Sequence, residues 1–292
     1  MTGPVLDHVI IATADLDEAA RTLGNAIGRA PSWHGRHPTY GTANVLFRLD
    51  NAYLELLAPD SESPRDSAWS GSLGRFLNER GEGLFSVALG VPDVLAAAEA
   101  ARARGLLVDE PAEGEGIDLR SGAVRRWCNA RIPPEVTRGT RVFYIEHRSP
   151  PDALPPAPFL TDMEGAICSI AAVQIQSADP ERAQHMWKEQ FGLKETAASG
   201  GRSYDLSNAS LHLQPPPEAL LHPELVEGRG VAPLAAGSPD RWGALICRAP
   251  DLVAVRRRLR ETGIEHKDAE HDGSDAVRLV ACGAPLLLLE TA

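Results

Sequence analysis

The sequence has few cysteines, and their spacing suggests no pairing. The chain contains four cysteines in 292 residues. They are scattered without the C-x-x-C spacing of a thiolate metal site, at Cys128, Cys168, Cys247 and Cys282. This usage predicts buried free thiols in a reducing compartment and argues against a disulfide framework. The class of small disulfide-stapled secreted proteins is therefore excluded, and a cytoplasmic location is expected.

Long apolar runs and a targeting segment are also missing. No apolar segment approaches about 18 residues, the length that a membrane-spanning helix needs. The first residues carry several acids and no basic stretch, so they do not resemble a secretory signal peptide. We therefore expect no membrane partner.

Positive charge is scarce relative to negative charge. The chain has 29 Lys and Arg against 40 Asp and Glu, a net charge of −11. Polyanions are repelled on average by such a surface, which argues against a nucleic-acid partner. The patterns GxGxxG, GxxxxGK[ST] and GxSxG are absent as well, so the sequence offers no nucleotide loop and no hydrolase elbow. With 43% hydrophobic residues, we expect a globular protein of one large or two ordinary domains.

What the sequence does contain is one pattern repeated four times. Each copy has a short apolar strand, an aspartate, an amphipathic helix, and a glycine 12 or 13 residues after the aspartate. The aspartate is expected to cap the helix N-terminus, and the glycine to end the helix in a left-handed conformation. The strand–aspartate segments are Leu6–Asp15, Leu84–Asp93, Ile170–Asp179 and Trp242–Asp251. The glycines are Gly28, Gly105, Gly192 and Gly263.

Each copy ends on a further apolar strand. These closing strands are NAYLELL from residue 51, TRVFYIEH from 140, NASLHLQ from 208 and GAPLLLLE from 283. Strand and turn signals precede each of them, which predicts four βαβββ units and an α+β fold. Five prolines between residues 149 and 159 favour a stiff connector. We therefore predict two tandem domains, residues 1–148 and 165–292, joined by a proline-rich linker at 149–164.

Paired βαβββ units with a histidine in a first strand and a glutamate in a closing strand resemble the vicinal oxygen chelate superfamily. It includes glyoxalase I, extradiol dioxygenases and bleomycin-binding proteins. The stretches LDHVIIATADLDEA, GRHPTYGTANVLFRL and YLELL, all within the first 60 residues, are similar to its glyoxalase-like branch. The resemblance implies that two units curl around a divalent metal, and it leaves a homodimer open.

The resemblance implies four ligand positions in each domain, one on the first strand and one on the closing strand of each unit. In the first domain, the distance from the capping aspartates places His8 and Ser86 there, and the match between closing strands places Glu55 and Glu146. We predict His8, Glu55 and Glu146 as metal ligands, a set that suits Zn, Mn, Fe, Co or Ni. Glu146 is also the candidate general base. The competing interpretation is an ion pair of Glu146 with Arg141 or Arg148.

A serine is a poor metal ligand, so position 86 leaves a gap in this site. His37 in the GRHP stretch is the candidate to fill the gap or to act in catalysis. Arg36 beside it could clamp a substrate carboxylate. Tyr53 and Trp33 are the predicted aromatic contacts of a small-molecule substrate.

The second domain has a poorer donor set at the same four positions. They hold Ala172, His212, Ala244 and either Leu287 or Glu290. Alanine and leucine cannot coordinate a metal, so we predict a metal-free second domain in which His212 is structural. Any active site is therefore expected in the first half of the chain.

Three functional hypotheses remain. The first is a metal-dependent isomerase, lyase or epimerase that acts on a small oxygenated molecule chelated through adjacent oxygens. The second is a metal-free protein that binds or sequesters a small molecule, which the serine at position 86 favours. The third is an extradiol-type dioxygenase. It ranks last because the familiar two-domain enzymes of that type carry iron in the C-terminal domain, whose ligand set is depleted here.

Overall fold

The computed structural model describes residues 3–60, 68–160, 162–196, 201–214 and 237–291. Residue 161 of the predicted linker, and residues 197–200, 215–236 and 292 of the predicted second domain, lie outside the described residues. Within the described part of the chain, no helix combines the length and the apolar character needed to cross a membrane.

The first half of the chain forms a closed barrel from two βαβββ units. The first unit contains β1 (Val5–Ala12), α1 (Leu16–Ile27), β2 (Trp33–His37), β3 (Thr42–Arg48) and β4 (Tyr53–Pro59). The helix α2 (Ala68–Arg80) follows. The second unit contains β5 (Gly83–Gly90), α3 (Val94–Ala103), β6 (Ala112–Asp118), β7 (Val124–Ile132) and β8 (Arg141–His147). The strands close in the order β1-β4-β3-β2-β6-β7-β8-β5.

The second half forms an eight-stranded sheet from two further units. The first of them contains β9 (Ser169–Gln176), α4 (Pro180–Gln184) with a π-helical continuation (His185–Gln190), β10 (Glu195–Thr196), β11 (Arg202–Asp205) and β12 (Ser210–Gln214). The second contains β13 (Arg241–Ala249), α5 (Leu252–Glu261), β14 (His266–His271), β15 (Ser274–Ala281) and β16 (Ala284–Glu290). The strand order is β10-β11-β12-β9-β13-β16-β15-β14. The four predicted βαβββ units are thus confirmed, whereas the domain boundary at 149–164 stays a prediction.

The predicted helix boundaries follow from capping chemistry. Asp15 accepts from the amides of residues 17 and 18 at 3.1 and 3.0 Å, and Asp93, Asp179 and Asp251 cap their helices in the same way. The glycines at positions 28, 105, 192 and 263 all adopt positive φ, between +69° and +86°. Both sequence signals are therefore confirmed in all four units.

The two halves share one hydrophobic core. The largest cluster of buried apolar residues includes Leu23 and Phe47 from the first half and Trp187 and Leu259 from the second. Helices α1 and α5 pack together at the junction, where the buried Arg258 donates to the carbonyl of residue 26 at 2.9 Å. Packing against the second sheet therefore helps to stabilise the barrel.

The pairing of β1 with β5 relates the two units of the barrel. The strands run antiparallel with Val9 opposite Val87, and each strand carries one bulge, at Asp7 in β1 and at Phe85 in β5. Matching bulges on either side of this pair indicate twofold pseudo-symmetry between the units. Within that symmetry residue 86 corresponds to residue 8.

Gly283 brings the second sheet into backbone contact with the barrel, whereas Gly273 in the same sheet makes no such contact. Gly283 has φ +68°, and a Cβ added there would overlap the carbonyl of Glu82 and press on the amide of Gly83. Gly273 has a similar φ of +76°, but a Cβ there would meet nothing within 4 Å. The pair therefore separates the cost of backbone strain from the cost of a clash between the sheets.

We expect Gly283→Ala to lower the free energy of unfolding by about 2 kcal/mol more than Gly273→Ala. Both substitutions carry the left-handed strain of about 1–2 kcal/mol, but only the first also overpacks the junction. Urea denaturation of the two variants measures the difference. Equal losses of stability would show that the sheets do not meet at this point.

Candidate active site

The barrel contains a cavity whose polar side chains come mostly from the first unit. The cavity encloses about 510 Å³ of empty space, including its opening to solvent. The first unit contributes His8, His37, Thr42, Asn44, Tyr53 and Glu55, whereas the second unit contributes the apolar rings of Trp127 and Phe143 together with Arg125. A cavity with a few convergent polar groups and an apolar wall suits a small, partly apolar ligand.

His8 and Glu55 converge on this cavity from neighbouring parallel strands. His8 Nε2 lies 3.3 Å from Glu55 Oε2, and both side chains are buried. In the register of β1 with β4, His8 lies opposite Tyr53, and the two rings stack with their centroids 4.4 Å apart. The structure thus brings two of the three predicted metal ligands together.

Asp7 orients His8. Strand neighbours normally point to opposite faces, but the bulge at Asp7 lets its carboxylate meet the adjacent ring, with Oδ1 2.6 Å from His8 Nδ1. His147 Nε2 lies 3.0 Å from Asp7 Oδ2. Although burial opposes ionisation, the hydrogen bonds from His147 and His8 hold the pKa of Asp7 well below its usual range. Because the ionised carboxylate only accepts, His8 donates from Nδ1, which leaves Nε2 available as a ligand.

Asn44 links Glu55 to His37 across the cavity wall. Asn44 Nδ2 donates to Glu55 Oε1 at 2.8 Å and to His37 Nε2 at 3.1 Å. Because the Asn44 amide nitrogen only donates, His37 Nε2 is the acceptor, and the ring carries its proton on Nδ1, 3.0 Å from Thr42 Oγ1. Burial lowers the pKa of His37, partly opposed by the charge of Glu55. The ring is therefore neutral at neutral pH, with an acceptor nitrogen on the side of Asn44.

Tyr53 lines the cavity as predicted, but Trp33 does not. Burial raises the pKa of Tyr53 well above its usual value, so the phenol stays neutral, and Arg125 donates a hydrogen bond to it. Trp33 instead packs with Leu46 and Leu154 behind the cavity. The prediction that Trp33 contacts the substrate is therefore corrected. Its ring instead flanks the side chain of Arg125, with 5.6 Å between the guanidinium carbon and the ring centroid.

Glu146 lies outside the cavity. Its Oε2 accepts from the amide of Val94 at 3.0 Å, in the first turn of α3, and its other carboxylate oxygen pairs with Arg148. A carboxylate at a helix N-terminus is stabilised by the helix dipole. The structure therefore contradicts the prediction that Glu146 is a metal ligand and general base, and it shows the competing ion pair instead.

The strand register explains this error. Glu55 lies opposite the residue two after His8, and Phe143 lies opposite the residue two after Ser86. Phe143 therefore holds the position that corresponds to Glu55, and its ring packs edge-on against His8 at 5.5 Å between centroids. The Tyr-x-Glu patterns of the two closing strands suggest that Glu146 matches Glu55. In the strand register the true counterpart of Glu55 is Phe143, three residues before Glu146. Because three is an odd number, Glu146 lies on the other face of the strand.

The remaining positions offer little to a metal. Ser86 is fully buried, and its hydroxyl donates to the carbonyl of Arg141 at 3.1 Å. In the second sheet Leu287 lies opposite Ile246, so Leu287 and not the exposed Glu290 corresponds to Glu55. Among the described residues, no group of three or more His, Cys, Asp or Glu side chains is arranged to hold a metal ion.

Arg36 points away from the cavity. The buried residues of β2 alternate, and Arg36 falls on the other face from His37, where its Nε lies 3.2 Å from Asp60 Oδ2. The predicted carboxylate clamp is therefore corrected: the arginine in the cavity is Arg125 on β7. Arg125 and Asn44 were not predicted from the sequence. Asn44 lies opposite Gly35 in the pairing of β2 with β3, and Gly35 shares the face of His37.

Comparisons with known proteins agree with this architecture. A family described as glyoxalase-like domain matches residues 6–191, whereas no curated protein sequence matches the chain. A hypothetical protein from Staphylococcus aureus is similar over 99% of this chain and 100% of its own, with TM-score 0.65 and 16% identity. A mutant of 4-hydroxymandelate synthase from Streptomyces coelicolor has TM-score 0.62 and 12% identity over 99% and 93% of the two chains. The Mn(II)-bound glyoxalase from Novosphingobium aromaticivorans has TM-score 0.60 and 13% identity over 98% and 81%. At these identities the likenesses show the fold alone.

Proposed function

The chain belongs to the glyoxalase-like domain family of the vicinal oxygen chelate superfamily, and on this premise we propose that it is a metal-dependent enzyme of the isomerase or lyase type. Its substrate is a small oxygenated molecule bound in the barrel cavity. The observation that carries the proposal is the approach of His8 Nε2 to Glu55 Oε2, 3.3 Å apart in a buried cavity.

The two donors fit a divalent ion. Ligands at a right angle with metal bonds of about 2.1 Å lie about 3 Å apart, close to the separation of Nε2 and Oε2. The second polar atom of each side chain is already fixed, His8 Nδ1 by Asp7 and Glu55 Oε1 by Asn44, as is usual around metal ligands. A Zn, Mn, Fe, Co or Ni ion held there would polarise substrate oxygens as a Lewis acid.

His37 is the residue that we assign to proton transfer. Its ring is neutral, and its Nε2 faces the amide of Asn44 within the cavity. A general base must be unprotonated at the working pH, and the amide donor of Asn44 at Nε2 leaves the proton of His37 on Nδ1, beside Thr42. Once substrate displaces the Asn44 amide from it, His37 Nε2 would accept a proton from a substrate carbon next to a carbonyl and return it to the product.

We expect His37 to titrate below the ordinary histidine pKa of about 6.5, because burial disfavours the imidazolium form. Since the folded protein then binds fewer protons at this site than the unfolded chain, the contribution of His37 to stability is full above pH 6.5 and is lost as the pH falls. A ¹⁵N-histidine NMR titration, assigned with His37→Gln, measures the pKa. A value above 6.5 would remove the neutral base from the proposal.

Deuterium uptake from D₂O tests the proposed reaction without knowledge of the natural substrate. A panel of 2-oxo acids, 1,2-diketones and 2-hydroxy ketones is incubated with the protein and Mn²⁺, and mass spectrometry follows exchange next to the carbonyl. We expect metal-dependent exchange for some members, reduced about 10²- to 10⁴-fold in His37→Gln. No exchange above background with any member would count against an enzyme of this type.

A metal-free binding protein is the second candidate. Ser86 and Phe143 occupy the positions where the second unit would supply ligands, and the rings of Trp127 and Phe143 give the cavity an apolar wall. This candidate differs from the first in one measurable respect. It expects ligand binding that is unaffected by added metal or by loss of Glu55.

A further inference from the structure

Arg125 is a buried cation that the proposed reaction does not use. It lies on β7 and is 8% exposed. No carboxylate of the described residues lies within ion-pair distance of it. Its guanidinium donates a hydrogen bond to the Tyr53 hydroxyl and faces the rings of Trp33 and Tyr53, each with its centroid 5.6 Å from the guanidinium carbon. A buried charge without a counter-ion is costly, so this arrangement calls for an anion.

The two acids whose charges act on Tyr53 are Asp7 and Glu55, and both are already hydrogen-bonded to other residues. Asp7 is held between His8 and His147, and Glu55 is held by Asn44 and faces His8. Their charges and the charge of Arg125 all act on the pKa of Tyr53. Neither carboxylate, however, forms an ion pair with the Arg125 guanidinium. Since the described residues supply no counter-charge, a molecule that enters the cavity could supply it.

Arg125 stands where two cavities adjoin. It lines the barrel cavity together with Tyr53, and the same two residues line a second cavity of about 700 Å³ of empty space, open to solvent, beside Ser149 and Pro150. A solute in either cavity can thus reach the guanidinium. The rings of Trp127 and Phe143 line the same barrel cavity, and Trp127 lies two residues after Arg125 on β7.

We propose that Arg125 binds the carboxylate of a small monocarboxylic acid whose apolar body lies against Trp127 and Phe143. A planar guanidinium can form two parallel hydrogen bonds with a carboxylate. Because Arg125 carries one positive charge, a ligand with a single carboxylate balances it. This assignment rests on the proposed function, because it names the substrate class of the same cavity. It makes Arg125 a specificity-determining residue.

The test compares 3-phenylpropanoate with 3-phenylpropanamide, which differ in charge but hardly in shape. Calorimetric titration of metal-free protein is expected to show that the wild type binds the acid about 10- to 100-fold more tightly than the amide. Arg125→Gln should abolish this preference, and Arg125→Lys should retain part of it. The matched control is Arg126→Gln, since Arg126 is the next residue on β7, exposed, and paired with Glu115; it should leave the preference unchanged.

Three results would overturn the proposal: equal or undetectable binding of acid and amide by the wild type, equal weakening of both probes in Arg125→Gln, or the same loss in Arg126→Gln. The second would show a structural role for Arg125. The wild-type comparison and Arg125→Lys keep the test decisive if Arg125→Gln fails to fold. The acid and the amide are titrated into metal-free protein, whereas the proposed reaction is followed with Mn²⁺ present, so failure of the metal-dependent function and failure of this assignment are seen in different experiments.

Discussion

Glu55→Gln is expected to weaken Mn²⁺ binding more than about 100-fold. Loss of a residue that merely orients a metal ligand already costs about 10- to 100-fold in affinity, and Glu55 is the only carboxylate that meets His8 Nε2 among the described residues. Glutamine has the same shape and keeps an oxygen for Asn44 Nδ2, which now donates to Glu55 Oε1. The substitution therefore removes the charge with little effect on the fold, and isothermal titration with MnCl₂ measures the change.

Glu146→Gln is the matched control for this substitution. It alters the other carboxylate of the two Tyr-x-Glu strands, but Glu146 caps α3 and pairs with Arg148 outside the cavity. We expect its Mn²⁺ affinity to equal that of the wild type and its stability to fall by at most about 1 kcal/mol, because glutamine keeps an oxygen for the Val94 amide and loses only the charge at the helix N-terminus. Equal Mn²⁺ affinity in Glu55→Gln and the wild type would mean that the cavity does not bind metal through Glu55.

Phe143→Glu is expected to make the fold metal-dependent. Phe143 is 5% exposed, and its ring lies 5.5 Å from that of His8, at the position that corresponds to Glu55 in the second unit. A glutamate there would lose the ring packing and would bury a carboxylate close to Glu55. Without metal we expect the free energy of unfolding to fall by at least about 3 kcal/mol, whereas with Mn²⁺ the new carboxylate becomes a third ligand.

Phe143→Gln separates this metal effect from the loss of packing. It should be destabilised as well, but it carries no negative charge, so Mn²⁺ should restore little of its stability. For Phe143→Glu, restoration grows with metal concentration because the ion binds only the folded state. Urea denaturation at several MnCl₂ concentrations measures both variants. The same response to Mn²⁺ in both would show that Phe143 does not face the metal position.

The fold could be predicted because its signals are local and repeated. A capping aspartate and a terminal glycine specify each helix within one turn of chain, and four copies at matched spacing reinforce one another. His8 was predictable for the same reason, since it lies seven residues before the capping Asp15, and Glu55 was predictable as the one polar residue within the apolar closing strand. Their convergence needed only the parallel pairing of a first strand with its closing strand.

Glu146 could not be placed in this way because the apparent match between closing strands is displaced by three residues. Sequence similarity favoured Tyr144 as the partner of Tyr53, whereas hydrogen-bond register pairs the second unit so that Phe143 faces inward. Register depends on the parallel pairing of β8 with β5, which is distant in the chain. A local pattern cannot determine it.

Arg125 was missed for a different reason. It lies in the run VRRW, where two adjacent arginines look equally suited to solvent, and only the closed barrel turns Arg125 inward and Arg126 outward. Barrel closure comes from the pairing of β2 with β6, around Gly35 and Ile117. Long-range closure of this kind leaves little trace in a single sequence.

Anomalous diffraction from crystals soaked in MnCl₂ is the measurement that tests the metal-dependent account most directly. The account predicts one strong peak in the barrel, within about 2.0–2.4 Å of His8 Nε2 and of a Glu55 carboxylate oxygen, and no such peak in crystals of Glu55→Gln. A peak elsewhere, or none in the barrel at saturating Mn²⁺, would contradict it.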